Sequence, residues 1–242
     1  MFFKNNLEEN QNENFIKISA LLIHAAKIDQ EYSAKEEEII KETLLKILPG
    51  LKDKPQTLLV CDIGGGTSDF SLFEIAIDKK DTADFLEGLS VTRLFVSDHI
   101  LLGGDNFDLA LAHLIEQKEQ PKNPFSSYQW SLLVSAIRQI KENALNDSST
   151  PDYHLSISDT SSSSLLKSTK SFHITRNEVL QTLEKGFFPK VSPGQKPKEA
   201  LGGIREWGLC YPQDTAISRY LADFLNDKTI DCVLFAGGSF AP

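Results

Sequence analysis

The chain has 242 residues, 40% of them hydrophobic and 15 of them phenylalanine, enough for a sizeable core, which excludes wholesale disorder. Its 34 acidic against 25 basic side chains leave a net charge of −9, which argues against a general nucleic-acid or anionic-membrane binder. Three scattered cysteines (Cys61, Cys210 and Cys232) make neither a disulfide framework nor a paired-cysteine metal knuckle. With no signal-peptide core and no apolar run of about 18 residues, the expectation is a soluble protein of the reducing cytoplasm.

Residues 14–48 have helical periodicity on both sides of a turn near Gln30–Ser33, so residues 1–50 are expected to contain a helical hairpin. Phe15, Ile18, Leu21, Leu22 and Ala25 form the first stripe, and Ile39, Ile40, Thr43, Leu44 and Ile47 the second. Ser33 and Glu36 have capping-box spacing, and Pro49–Gly50 ends the second helix. A hairpin of this size cannot bury both faces alone and needs cover from the rest of the chain or a partner.

From residue 57 the pattern changes. TLLVCDIGG reads as a buried strand entering a glycine turn, and DFSLFEIAI as a second strand alternating Phe70 and Leu72 against Ser71 and Phe73. The two pair across GGGTS as a hairpin, and residues 90–97 supply a third strand. FDLALAHLIEQK is an amphipathic helix with Phe107, Ala110, Leu111 and Leu114 on one stripe. A further helix over 129–145 offers Leu132, Leu133, Ala136, Ile140 and Leu145 to its buried side. The segment 154–175 alternates like a hairpin with a serine-rich tip, and Thr175 with Glu178 opens another helix through a capping box. DTAISRYLADFLND is one more helix, entered through Asp214, and TIDCVLFAGG a buried strand breaking into a double-glycine turn. The fold class is α/β or α+β, with helices packed on sheets.

The densest chemistry lies in Asp62-Ile63-Gly64-Gly65-Gly66-Thr67-Ser68-Asp69. Three glycines let backbone N–H groups approach phosphate oxygens as an anion nest; the same residues also make a plain hairpin turn. Asp62 could hold a hydrated Mg²⁺, and Asp69 could polarise a water, with Thr67 offering a hydroxyl. No GK[ST] follows, so this is not a Walker-type loop. Gly103–Gly104 and Gly237–Gly238–Ser239 each put bare backbone beside a strand-like segment. The five histidines show no paired ligand spacing and read as structural or surface residues.

These segments carry a resemblance. DIGGGTSDFSLFEI resembles the second phosphate-binding segment of the actin-like ATPase superfamily, whose lobes have a ribonuclease-H-like fold. LLGGDNFDLALAHLIEQ narrows it to the seventy-kilodalton heat-shock (DnaK-like) chaperone family; VLFAGGSFAP is similar to its adenosine-binding segment, and FHITRNEVLQTLEKGFFP to a helix start in its smaller subdomain. The resemblance covers residues 57–242, the second lobe of the nucleotide-binding domain, with a smaller α+β subdomain within 108–200. It implies ATP or ADP with Mg²⁺ as ligands. Asp62 would face the hydrated Mg²⁺, and Gly64, Gly65, Gly66 and Thr67 would hold the β/γ-phosphates. Asp69, with Thr67, would serve hydrolysis by orienting water only where a first lobe completes the site. Gly103 and Gly104 would lie near the nucleotide, Gly237, Gly238 and Ser239 at the adenosine, and Lys141 at the adenine ring. Arg138 stands where the family has glutamate, and Asn146 where it has serine.

The family's first phosphate loop, its catalytic lysine and a second metal-side carboxylate have no counterpart before residue 57, so the sequence reads as about half of an ATP clamp. A complementary lobe or a co-chaperone is the implied partner. ALLIHAAKIDQEYSAKEEEIIKETL resembles the tellurite-resistance TerB-like hairpin, with Asp29, Ser33 and Glu36 at its spacing; Asp29 and Glu36 read as turn and capping residues. Two functions compete: a nucleotide-binding lobe of a chaperone-type ATPase, and an adaptor that keeps the fold but acts by binding partner proteins. GGDNFDLALA argues against a third, a sugar- or acid-kinase relative.

Overall fold

Strand β1 (Gln56–Ile63) and strand β2 (Ser68–Ile77) pair antiparallel around the turn 64–67, as the glycine triplet between two apolar runs predicts. The structure, a computed structural model, describes residues 54–77, 89–119, 125–158, 169–198 and 214–239. The expected hairpin within 1–50, Cys210 and the serine-rich tip lie outside the described residues. The architecture is mixed α/β, and no helix among the described residues is long and apolar enough to cross a membrane.

The chain divides into two compact units. Of the described residues, the first takes 54–64, 68–77, 89–99 and 227–239. It is a four-stranded mixed sheet in the order β3-β2-β1-β6, with β3 spanning Leu89–Val96 and β6 Cys232–Ala236. β3 is antiparallel to β2, whereas β6 runs parallel to β1. Leu58, Val60, Phe73, Ile75 and Leu234 form one apolar layer, flanked by Ile77, Val91, Cys232 and Ala236. Leu59, Cys61, Ile63, Phe70 and Leu72, in the alternate positions, are also buried. A sheet covered on both faces accounts for the uninterrupted run Leu58–Cys61.

Two expectations need correcting here. Phe73 is buried rather than the outward partner of Phe70 and Leu72, because both faces of β2 are covered and its register against β3 shifts between Leu72 and Phe73. β6 is buried only at Leu234: as the edge strand of the order above it leaves Val233 and Phe235 exposed. Cys61 and Cys232 are free thiols. Burial pushes the Cys61 thiol up to about 12, so it behaves as a small apolar side chain.

The second unit takes 65–67, 100–119, 125–158, 169–198 and 214–226 among the described residues. Helices α1 (Gly104–Glu119) and α2 (Ser127–Asn146) precede a hairpin of β4 (Asp152–Ser158) and β5 (Thr169–Thr175). Helices α3 (Arg176–Gly186) and α4 (Ile217–Leu225) follow. Thr175 and Glu178 make the reciprocal capping box that their spacing predicts. Ser126 and Gln129 make a second one, which starts α2 two residues earlier than its apolar pattern suggests. Asp214 stands two residues before the Ala216 cap of α4, accepting the Ala216 N–H (3.0 Å), the Lys198 N–H (2.7 Å) and both bonds of Arg219. Burial pushes its carboxyl up, but these donors outweigh burial and hold it below the usual aspartate range.

The helix stripes also need correcting. On α2 the buried positions are Gln129, Leu133, Ile137, Ile140, Lys141 and Ala144, while Leu132 and Leu145 are exposed. Leu133, Ile137, Ile140 and Ala144 follow one another at helical spacing, and Leu132 and Leu145 lie one 100° step outside that line. On α1 the stripe is Phe107, Asp108, Leu111, Ala112 and Ile115, with Ala110 and Leu114 only half-buried. Phe107 meets Phe187 and Phe188 edge-on at 4.5 and 5.7 Å, tying α1 to the end of α3.

Candidate functional site

β1 and β2 deliver two carboxylates to the same place. Asp62 and Asp69 are direct partners in the antiparallel register, one residue before the strands part into the glycine turn. Side chains opposed in this way share a face, and like charges so placed repel. Burial pushes the Asp62 carboxyl above the ordinary aspartate range, and the charge of Asp69 pushes it further. Asp69 also has a partner that sequence spacing does not reveal: His99 Nδ1 lies 2.5 Å from its Oδ1. Ser97 supports the same strand end by accepting the Phe70 N–H at 3.0 Å.

After β6 the chain turns back onto β1. Ser239 donates its N–H to the Ile63 carbonyl (3.1 Å) and its hydroxyl to the Gly64 carbonyl (3.0 Å). Gly237 has φ +93°, and a Cβ there would lie 2.3 Å from the Ile63 carbonyl oxygen and 2.5 Å from Asp62 Oδ1. Glycine is therefore demanded by both conformation and space. Gly238 differs, since a Cβ on it meets nothing within 4 Å.

In the second unit, Asp105 donates its N–H to the Gly65 carbonyl at 2.8 Å. A Cβ on Gly65 would make only ordinary contact with the Asp105 carboxylate at 3.7 Å, and one on Gly66 would meet nothing. Neither residue has positive φ. Neither packing nor backbone conformation demands glycine at 65 and 66. Gly103 donates its N–H to Asn106 Oδ1 at 2.9 Å, and Gly104 begins α1.

Lys141 does not lie on a solvated helix face. It is buried, with Nζ 3.2 Å from the Gly104 carbonyl and 2.6 Å from Asp108 Oδ1. The latter is an ion pair whose angle is not that of a hydrogen bond, since Asp108 Oδ1 has no hydrogen-bond donor. Asp108, wholly buried, takes Arg138 Nε on its other oxygen at 2.8 Å, and Arg138 reaches Asp105 at 2.6 Å. The Asp108 hydrogen bond leads the influences that hold the Arg138 guanidinium above its usual range. Arg138 thus bridges two acids of α1. Asp108 is the residue that sequence reasoning missed; its signal was a carboxylate next to Phe107 on an apolar stripe.

Asp62 sets a pH dependence. Its native carboxyl binds a proton more tightly than the unfolded one, so the folded state gains nothing from ionisation and loses stability as pH rises from about 4 through the raised native value. Asp62→Asn is expected to be the more stable protein at pH 7, by less than about 1 kcal/mol because the site is part-exposed and screened. The difference should vanish near pH 3; melting temperatures at pH 3, 5 and 7 check it.

The donor set suits a hydrated Mg²⁺, a hard cation held through carboxylate oxygen. Among the described residues, no group of three or more His, Cys, Asp or Glu side chains is arranged to hold a metal ion directly. No protein-family model matches the chain.

Proposed function

We propose that the chain is a nucleotide-binding lobe of a heat-shock-70-like chaperone ATPase, of actin-like fold, that takes the phosphates of Mg·ATP or Mg·ADP on the turn between β1 and β2. The observation that carries this is the Asp62–Asp69 pair, two opposed carboxylates beside glycines that packing does not require. A divalent cation would relieve their repulsion, and the phosphates would bring it. Asp62 would hold Mg²⁺ through water; Gly64, Gly65, Gly66 and the Thr67 hydroxyl would hold the phosphates. Asp69, aligned by His99, would orient the attacking water. The family resemblance also assigns Gly237, Gly238 and Ser239 of the first unit to the adenosine, and Gly103, Gly104 and Lys141 of the second to the nucleotide, in the cytoplasm and with a complementary lobe or co-chaperone as partner.

Phosphoryl transfer needs the γ-phosphate, metal and water held on all sides in a dry site. The turn between β1 and β2 would supply one part of it. Each N–H bond to a solvated phosphate is worth about 1.5–3 kcal/mol at best, and ordering an unclamped nucleotide offsets much of that. A polypeptide of these 242 residues is expected to bind Mg·ATP or Mg·ADP at roughly 10⁻⁴ M or more weakly and to show no turnover above background. Calorimetric titration checks this. Asp62→Asn should abolish the binding heat; an equal heat in the variant would sink the assignment of Asp62.

One observation favours a second reading, a non-catalytic adaptor that keeps the fold and binds partner proteins. Lys141 and Ser239, both assigned to the nucleotide, are engaged by Asp108, Gly104 and Gly64 within the chain. A titration with no Mg·ADP heat at millimolar concentration would select the adaptor.

A further inference from the structure

The β4–β5 hairpin carries an apolar and a polar face. Leu155, Ile157, Phe172 and Ile174 are buried, and the alternate positions present Asp152, His154 and Ser156 opposite Thr175, His173 and Ser171. His154 and His173 are direct cross-strand partners, with ring centres 4.9 Å apart. His173 Nε2 lies 3.2 Å from Asp152 Oδ1, which leaves Nδ1 for another bond.

We propose that this face is a metal site, on which His154 and His173 chelate one late first-row divalent cation of the Zn²⁺ or Cu²⁺ class, with water completing its shell. Imidazole is a preferred ligand of these ions and a poor one for Mg²⁺. Two imidazoles bound at about 2.0–2.1 Å to a tetrahedral ion have ring centres about 5 Å apart, close to the separation present here. A ligating histidine commonly donates its other ring N–H to a carboxylate, which fixes tautomer and orientation. Asp152 is placed to do this for His173. The strands are held by the buried face and by Lys118, which donates to the His173 carbonyl at 3.2 Å and has its own charge met by Glu178 at 2.7 Å. Little ordering is then left for the metal to induce. The site has two protein ligands, so it does not conflict with the lack of a three-residue cluster, and it is independent of the nucleotide assignment.

The test is titration of the purified 242-residue chain with Zn²⁺, Cu²⁺ and Mg²⁺ salts. One Zn²⁺ should bind, Cu²⁺ more tightly, and Mg²⁺ should not compete at a hundredfold excess. His154→Gln and His173→Gln should each weaken Zn²⁺ at least tenfold, and Asp152→Asn by about tenfold. Ser156→Ala should leave affinity unchanged. Imidazole NMR resonances of His154 and His173, not those of His99 and His113, should shift in the wild-type chain, a readout that survives if a variant fails to fold. Unaltered Zn²⁺ affinity in both folded histidine variants, or shifts confined to His99 and His113, would overturn the proposal.

Discussion

Replacing Asp108 with alanine is expected to cost the protein about 3–5 kcal/mol, read as a fall in the urea midpoint without a change of slope. Asp108 is completely enclosed, and its two oxygens face Lys141 at 2.6 Å and Arg138 at 2.8 Å. Two charges taken out of water at such range stabilise one another only as a pair. Removing one leaves Lys141, itself nearly enclosed, with an uncompensated charge on the packed side of α2. The double variant Asp108→Leu/Lys141→Met removes both charges and should recover most of the loss. Arg138→Gln should cost far less, because half of that side chain is in water. A single Asp108→Ala variant within 1 kcal/mol of wild type would show that the α1–α2 ion pair does not persist in solution.

Gly237→Ala should be nearly as damaging. Its φ of +93° disfavours any L side chain, and the added methyl would overlap the Ile63 carbonyl at 2.3 Å and Asp62 at 2.5 Å. Strain of about 1–3 kcal/mol and overpacking of a similar size sum to a loss of roughly 2–6 kcal/mol. The neighbouring Gly238→Ala, with open space around it, should stay within about 0.5 kcal/mol of wild type. Parallel thermal melts of the two variants decide the matter, and equal melting temperatures would mean that the turn after β6 is not seated on β1.

Elements bounded by strong local signals were legible from sequence. The β1–β2 hairpin follows from two apolar runs about a glycine triplet, and the start of α3 from Thr175 and Glu178, because the physics there is local. Details depending on what covers a surface were not. Phe73 looked outward in an alternating strand until both faces of the sheet proved buried, and Leu132 and Leu145 looked like core until the neighbours of α2 selected a different stripe. In the candidate site, Asp62 and Asp69 announced themselves by flanking the glycines. His99 did not, since 30 residues separate it from Asp69 and only the fold joins them. Asp108 was hidden for a similar reason: a carboxylate on an apolar stripe makes sense only once Arg138 and Lys141 arrive from another helix.

The parallel pairing of β1 with β6 has a consequence during synthesis. Thr57 donates its N–H to Asp231, a partner 174 residues later, and every described residue of the second unit is translated in between. At about 5–20 residues per second, β1 waits roughly 10–35 s for its neighbour after leaving the ribosome. During that time β1, β2 and β3 have been made, but the far edge of β1 offers a row of unpaired backbone groups beside the apolar run Leu58–Cys61. Such an edge is a template for pairing with another nascent chain. The newborn sheet is thus most prone to aggregate while the second unit is being made, and a mutation that slows folding of α1 or α2 would prolong that exposure without touching the sheet.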